Sequence, residues 1–253
     1  MGYLIDTHAH LDMYDDWEGV FSDAQKDGIR KIVIPSVEEK FFEKVINIAN
    51  RKEDLYCMLG IFPTEAKDWH DGILDKIRTL SKDKKVVAIG EVGLDYYWDK
   101  TFVEEQKDIF IKQIRISEEL NLPLVIHDRD AHKDCFDILK EEGKNNKKVL
   151  FHCFSGSPEF AMECVKEGWY IALGGVVTFK NAIKAKEVAK TVPLEHLVLE
   201  TDSPYLTPVP YRGKENRPQY IKYVAEEIAK LREISTDEVI RITTKNAEEF
   251  FEI

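Results

Sequence analysis

Two histidines near the start of the chain, His8 and His10, are the first residues whose spacing has a chemical meaning. They follow a short apolar run, and residues i and i+2 of a β-strand point to the same face of a sheet. One strand would therefore present two imidazoles to a single site, as a pair of metal ligands requires. A single histidine at the end of a strand is ambiguous, because it more often makes hydrogen bonds in a core or a loop.

Five further residues with metal-binding groups come at or just after other apolar runs. His127 and His152 end two of these runs. Glu91 follows a third run, and Glu200 and Asp202 follow the last one. Glu91 alone could cap a helix or form an ion pair, but independent accidents would not place the whole set at the ends of strands. The set predicts a metal centre built from four imidazoles and two or three carboxylates.

The number of these ligands exceeds what one tetrahedral ion uses. Two divalent ions that share a bridging carboxylate fit better, since such ions lie about 3.5–4 Å apart and activate a bridging water. Two divalent cations, two carboxylates and a hydroxide leave a formal charge of about +1 at the site, which suits an anionic substrate such as a phosphodiester.

Short apolar runs rich in β-branched residues alternate along the chain with segments of helical period. The segment 103–120, for example, carries one apolar stripe with charged residues on its other face, as an amphipathic helix does. Strands that are apolar on both faces and alternate with helices indicate parallel pairing. The predicted strands are 3–7, 31–35, 55–60, 86–90, 123–127, 148–152, 169–174 and 197–201.

Eight such units in a chain of 253 residues predict an α/β fold of the (β/α)8 TIM-barrel type, with residues 1–253 forming a single domain. A helix pair at 217–232 and 236–251 would add a C-terminal helix to the barrel. A doubly wound open sheet is the main alternative. In a barrel the C-terminal ends of the strands meet at one mouth, so the predicted metal ligands would be brought together there.

The chain has 36 Lys and Arg residues against 47 Asp and Glu residues, a formal net charge of −11. This balance argues against a broad basic face for duplex nucleic acid, so any attraction for phosphates must be local. No apolar run approaches the ~18 residues of a membrane helix, and the start of the chain lacks the features of a signal peptide. The four cysteines form no C-x-x-C pair, which favours reduced thiols. We therefore expect a cytoplasmic monomer without membrane contact or a stable protein partner.

A set of short motifs surrounds these residues. The motifs are D-T-H-A-H-L-D (6–12), G-E-V-G-L-D-Y (90–96), H-D-R-D-A (127–131), F-H-C-F-S-G (151–156), T-F-K-N-A (178–182), L-E-T-D-S-P-Y-L (199–206), N-R-P (216–218) and N-A-E-E-F-F (246–251). The set resembles the TatD family of metal-dependent deoxyribonucleases, which are (β/α)8 barrels of the amidohydrolase-like superfamily. The resemblance spans the whole chain, and the motifs in this order are highly specific although each alone is weak.

The resemblance implies two metal ions joined by Glu91 as a bridge. The other ligands would divide into His8, His10 and Asp202 for one ion and His127 and His152 for the other. Asp202 and Glu91 would then be catalytic, with Asp202 as the proton acceptor in hydrolysis of DNA phosphodiester bonds. Glu200 is in phase with Asp202 and is predicted to orient a ligand or a water.

One loop departs from the pattern of the family. Many members read G-x-H-P-H after the third strand, whereas this chain reads G-I-F-P-T at 60–64, with Phe62 and Thr64 in place of both histidines. Any role of those histidines cannot be transferred to this chain. Phe62 could stack on a base, a contact that contributes about 1–3 kcal/mol where it occurs, or it could pack on the barrel rim.

Three cations are candidates for contacts with substrate. Arg129, two residues after His127, could bind a phosphate through both of its guanidinium edges or form an ion pair with Asp128 or Asp130. Lys214 and Arg217 lie in a polar loop at 207–218 and could contact a nucleic-acid backbone. As isolated surface cations, they could equally be solvated.

These features predict a hydrolase acting on ester bonds, with DNA as its substrate. One alternative is a metal-dependent hydrolase of an amide, an ester or another phosphoester in a small molecule, and another is a metal-binding barrel without catalysis. The family resemblance implies Mg²⁺ as the cofactor. Four imidazoles suit Zn²⁺, Mn²⁺, Fe²⁺ or Ni²⁺ better, because Mg²⁺ prefers oxygen ligands, so we expect a transition metal.

Overall fold

Eight short strands pair in parallel in the order in which they occur along the chain. The computed structural model describes residues 2–98, 100–143 and 148–253. Sequential order confirms the barrel and excludes the doubly wound open sheet, whose strand order reverses at a switch point. The strands are β1 (Leu4–Asp6), β2 (Ile29–Pro35), β3 (Leu55–Leu59), β4 (Val86–Asp95), β5 (Leu124–Arg129), β6 (Val149–Phe151), β7 (Tyr170–Leu173) and β8 (Leu197–Leu199).

Hydrogen bonds between the residue that follows β1 and the last residue of β8 bring the two edges of the sheet together. The amide and the hydroxyl of Thr7 both donate to the carbonyl of Leu199, at 3.1 and 2.9 Å. Beyond the strand ends, the amide of Asp202 donates to the carbonyl of His8 at 2.9 Å. The seam thus continues past both strands and holds two of the predicted ligand residues side by side.

The fourth strand is longer than the sequence predicted, so Glu91 lies inside β4 and not after it. Ile89 and Val92 are three residues apart in β4, whereas their partners Leu124 and Ile126 in β5 are two apart. The extra residue is a β-bulge, a feature that often redirects a side chain next to a functional site. The other seven strands lie where they were predicted, with ends that differ by two residues or fewer.

Nine helices of the described residues connect and cover these strands, each with one buried face. The predicted helix 103–120 is found with the same bounds, whereas the one predicted to begin at 217 begins at Ile221, because Pro218–Tyr220 form a 3-10 turn. Within the part of the chain described, every helix is too short or too polar to cross a membrane. The helices are α1 (Trp17–Lys26), α2 (Phe42–Asn50), α3 (Gly72–Leu80), α4 (Val103–Leu120), α5 (His132–Glu142), α6 (Pro158–Lys166), α7 (Ile183–Thr191), α8 (Ile221–Arg232) and α9 (Thr236–Phe251).

The interior of the barrel is a packed apolar layer to which every strand contributes. The last turns of α9 join this layer through Ala247, Phe250 and Phe251. Phe250 also packs against Tyr170 at the start of β7, so α9 closes the end of the barrel opposite the mouth. The inner layer consists of Ile5, Val33, Met58, Val87, Ala88, Val125, Leu150, Ala172 and Val198.

Truncation of the residue that closes the barrel should test this packing. Phe250 is 1% exposed, so Phe250→Ala should lower the free energy of unfolding by about 3–5 kcal/mol through lost burial and a cavity. Denaturant unfolding followed by circular dichroism would measure the change. The control is Lys245→Ala on the exposed face of α9, which removes one surface ion pair and should cost about 0.5 kcal/mol or less. An equal decrease in the free energy of unfolding in both variants would contradict the conclusion that α9 closes the end of the barrel.

Candidate metal centre

Glu91 lies at the centre of the mouth, and its two carboxylate oxygens face different imidazoles. Oε1 lies 2.9 Å from Nδ1 of His127 and 2.7 Å from Nε2 of His152. Oε2 lies 3.4 Å from Nε2 of His8. The bulge in β4 therefore places one carboxylate between ligands that come from three other strands.

The seam between β1 and β8 supplies the second part of the site. Oδ1 of Asp202 lies 3.4 Å from Nε2 of His10 and 3.8 Å from Nε2 of His8. The rings of His8 and His152 stack with their centroids 4.0 Å apart, which joins this part to the first. All six residues predicted as metal ligands thus meet at one mouth.

The nitrogens of two buried rings have no hydrogen-bond partner among the described residues. Both ring nitrogens of His8 and both of His152 are buried without a hydrogen bond of suitable geometry. A buried polar group left in this state costs about 1–3 kcal/mol, which metal coordination would offset. Three ligand groups have all their donor atoms within 4.8 Å of one another. They are His8–His10–Glu91, His8–His152–Glu200 and Glu91–His127–His152.

This donor set fits divalent ions. Neutral imidazole nitrogens combined with carboxylate oxygens are typical ligands of Zn²⁺, Mn²⁺, Fe²⁺ and Ni²⁺, whereas Mg²⁺ is bound mainly by oxygen. Burial opposes ionisation of Glu91, but the charge of His152 and the contact with His127 hold the pKa of that carboxyl well below its usual range. Burial also opposes ionisation of Asp202, yet the hydrogen bond from His10 lowers its pKa. These lowered pKa values favour the anionic form of both carboxylates, which is the form that a metal ligand requires.

Two further carboxylates contact the ligand histidines from the opposite side of each ring. Oε2 of Glu200 lies 3.6 Å from Nδ1 of His152, in the position predicted for a residue that orients a ligand. Oδ2 of Asp95 lies 2.9 Å from Nε2 of His127. Both carboxylates are fully buried. A carboxylate behind a metal-binding histidine fixes the tautomer and orientation of the ring and strengthens it as a ligand.

Asp95 was missed in the sequence. The fourth strand was predicted to end at residue 90, which left Asp95 in a loop of unknown direction, whereas β4 continues to Asp95 itself. The available signal was the motif at 90–96, where this aspartate follows Glu91 by four positions and so falls on the same side of an extended strand.

Phe62 packs directly on the metal centre, with its ring centroid 4.4 Å from that of His127. This contact matches the prediction of a rim aromatic, and stacking on a base stays a prediction. Thr64, which replaces the second loop histidine of the family, donates to Glu65 at 3.1 Å. The loop thus covers the site with an aromatic ring where other family members carry histidines.

Arg129 lies at the mouth as predicted. Among the described residues it forms no ion pair with Asp128 or Asp130, which was the alternative prediction. Its guanidinium lies 4.6 Å from the centre of the Tyr97 ring. Oδ2 of Asp128 lies instead 2.6 Å from Nδ1 of His132. Arg129 therefore remains close to the site and exposed to solvent.

The two cations of the last loop make local contacts. Lys214 lies over the ring of Tyr211 at 5.5 Å, and Arg217 lies 3.2 Å from Oε1 of Glu215. Their contact with a nucleic-acid backbone stays a prediction.

A cavity of about 470 Å³ opens beside the imidazoles, between the loops that follow β5, β6, β7 and β8. A cleft of this size with convergent polar groups is typical of a substrate site. Its lining includes His127, Arg129, His152, Cys153, Lys184 and Leu206.

The fold and this site define a class of protein. A parallel (β/α)8 barrel with histidines and carboxylates gathered at its mouth is the arrangement that many metal-dependent hydrolases use. The family follows from comparison with known proteins. The chain belongs to the TatD family, because the family model described as TatD related DNase matches residues 5–252.

Relatives of similar length support this assignment. The uncharacterized metal-dependent hydrolase YabD of Bacillus subtilis is 46% identical over 253 residues, with 99% of each chain covered. The hydrolase YcfH of Escherichia coli, which has the same description, is 35% identical over 257 residues, covering 99% of this chain and 96% of its own. The crystal structure of the TatD homologue YJJV from Escherichia coli superposes with a TM-score of 0.93 at 30% identity, covering 99% of this chain and 98% of that one.

Replacement of the central carboxylate should change the metal content. Glu91→Gln keeps the shape of the side chain but removes a negative charge between the two cations that the family resemblance implies, so one ion should be lost or bound at least about 10-fold more weakly. Elemental analysis after dialysis and metal titration would measure this, with Glu226→Gln on an exposed part of α8 as the control. Two ions retained with unchanged affinity in Glu91→Gln would show that the bridge is another group.

Asp95→Asn should weaken metal binding without disturbing the fold. The amide is similar in size to the carboxylate but holds the Nε2–H of His127 less strongly, so affinity for the ion on His127 should fall about 10- to 100-fold. Isothermal titration with Zn²⁺ would report the change, and Asp108→Asn on the exposed face of α4 is the matched control. If Asp95→Asn bound metal like the control, Asp95 would have no part in orienting the ligand.

Proposed function

We propose that this chain hydrolyses phosphodiester bonds in DNA with two divalent metal ions held at the barrel mouth. The observation that carries the proposal is the orientation of Glu91, whose Oε1 faces His127 and His152 while its Oε2 faces His8. A carboxylate with imidazoles beyond each of its oxygens suits a pair of ions better than one. We infer a transition metal from the four imidazoles.

When bound, the ions would lower the pKa of a water and polarise a phosphoryl oxygen. The protein's own groups supply the proton transfer. The side chain of Asp202 is 16% exposed and faces the mouth, and we propose that its carboxylate accepts the proton that the attacking water loses. His10, 3.4 Å from Oδ1 of Asp202, holds that carboxylate in place.

The formal charge of about +1 that we predicted for the site from its sequence needs correction. That prediction included two carboxylates, whereas four carboxylates face the imidazoles. With two divalent cations and four carboxylates the formal sum is about zero before any hydroxide is added. Asp95 and Glu200 are fully buried behind the rings of His127 and His152. The negative charges of Asp95 and Glu200 thus lie behind the rings, whereas the bound cations would face the mouth. An anionic substrate would be attracted by these nearer cations although the formal charges of the site sum to about zero.

The choice of DNA among possible substrates is supported by the description of the family model as TatD related DNase. It is also supported by Arg129 and Lys184, two cations that line the cavity beside the imidazoles. A guanidinium can bind two oxygens of one phosphate. We propose that Arg129 takes the phosphate nearest the metal centre and that Lys214 and Arg217 contact the backbone further out.

Removal of a ligand histidine should abolish hydrolysis. His127→Ala and His152→Ala should each reduce the rate on end-labelled DNA at least about 100-fold, because the activated water is lost with its ion. The fold should persist, since both side chains lie at the mouth above the packed inner layer. Rates would be measured with Mn²⁺ or Zn²⁺ on single- and double-stranded DNA, beside circular dichroism and metal analysis.

The same assay separates DNA hydrolysis from other hydrolase chemistry. A panel of phosphodiester, amide and lactone substrates would be tested with the metal-loaded wild-type chain. Turnover of an amide or a lactone that depends on His127 and His152, with no cleavage of DNA, would assign the site to a different bond. Full metal content without turnover of any substrate would indicate a barrel that binds metal without catalysis.

A further inference from the structure

The exposed large apolar side chains of the described residues all lie on the mouth of the barrel. Each comes after the end of a strand and no later than the first residue of the next α-helix. The outer faces of the helices and the closed end of the barrel carry none within those residues. A cluster of exposed apolar groups around a site marks a binding surface. The residues are Met13, Tyr97, Trp98, Ile183, Tyr205 and Val209.

Tyr97 and Trp98 form an aromatic pair just beyond the end of β4. The two residues are 54% and 71% exposed, and their rings meet edge to face with centroids 4.9 Å apart. The guanidinium of Arg129 lies 4.6 Å from the centre of the Tyr97 ring. A cation is therefore held against an exposed aromatic pair, next in space to the metal centre.

Asp95 ties this pair to the metal centre. Its Oδ1 accepts hydrogen bonds from the amides of Tyr97 and Trp98 at 2.9 and 3.0 Å. Its Oδ2 lies 2.9 Å from Nε2 of His127. One fully buried carboxylate thus fixes the backbone under the aromatic pair relative to a ligand histidine.

We infer that Tyr97, Trp98 and Arg129 form a subsite that binds the nucleobase next to the phosphate being hydrolysed, an inference that rests on the proposed function. The face of any base can stack on an aromatic ring, and Arg129 would pair with a phosphate of the same nucleotide. Bases inside a duplex have both faces covered, so the occupant is a base at a strand end or in an unpaired segment.

The net charge of the chain favours this kind of contact. At −11 the chain repels a polyanion at a distance, and this charge balance argues against a broad basic groove as the source of affinity. Stacking does not depend on net charge and tolerates any sequence. The aromatic pair would therefore contribute to affinity for nucleic acid where the acidic surface provides no electrostatic attraction.

Binding of a short single-stranded oligothymidylate in the presence of EDTA tests the subsite apart from catalysis. Trp98→Ala should raise the dissociation constant about 10-fold, and Trp98→Phe should restore most of the loss because the ring remains. The control Gln25→Ala removes an exposed, uncharged side chain on the outer face of α1 and should stay within about twofold of wild type. Oligonucleotide should also quench the fluorescence of the wild-type chain, and Trp98→Ala should lose most of that quenching.

Kinetics on the metal-loaded enzyme add a second readout. Trp98→Ala should raise KM about 10-fold with kcat changed less than about twofold, since stacking acts on the bound and transition states alike. Unchanged binding and KM in Trp98→Ala would overturn the subsite, and so would equal losses in Gln25→Ala or an absence of oligonucleotide binding by the wild type. Binding that depends on Trp98 in a chain that cleaves no DNA would keep the subsite and reject the proposed hydrolysis.

Discussion

The compensation of one buried carboxylate by its surrounding imidazoles is the interaction on which the mouth depends. Glu91 is 3% exposed, and an ionised carboxylate removed from water is costly unless charged or hydrogen-bonding partners replace the water. Rings from β1, β5 and β6 meet that requirement, and a bound cation on either side would meet it more fully. Three features hold these groups in position around Glu91. They are the bulge in β4, the seam of the barrel, and the carboxylates of Asp95 and Glu200, which we call the outer carboxylates.

The outer carboxylates contact two of the histidines that surround Glu91, on the far side of each ring. Asp95 and Glu200 contact the ring nitrogens of His127 and His152 that face away from Glu91. Each histidine therefore lies between two acids, which fixes the direction of its ring. An imidazole ring thus separates each of these two carboxylates from the carboxylate of Glu91.

The fold and the family were predictable from the sequence, because both depend on local patterns. The alternation of apolar runs with segments of helical period predicted all eight strands. The spacing of His8 and His10 predicted that both side chains point to the same site. Asp95 was missed because the reach of β4 depends on a bulge and on pairing with β5, which are contacts between distant segments. The contact of Arg129, the last residue of β5, with Tyr97 was missed for a similar reason, since Tyr97 lies beyond the end of β4 where periodicity no longer applies. Metal identity, the DNA substrate and the catalytic roles stay predictions.

The seam between β1 and β8 has a consequence for the order in which the molecule folds. Asp6 accepts hydrogen bonds from the amide and the hydroxyl of Thr201, across a separation of 195 positions. Contacts between such distant segments form late, because the loop between them must be closed first. The half of the metal centre that combines His8, His10 and Asp202 therefore cannot exist in a nascent or truncated chain that lacks β8. Occupancy of that half would report that the barrel has closed.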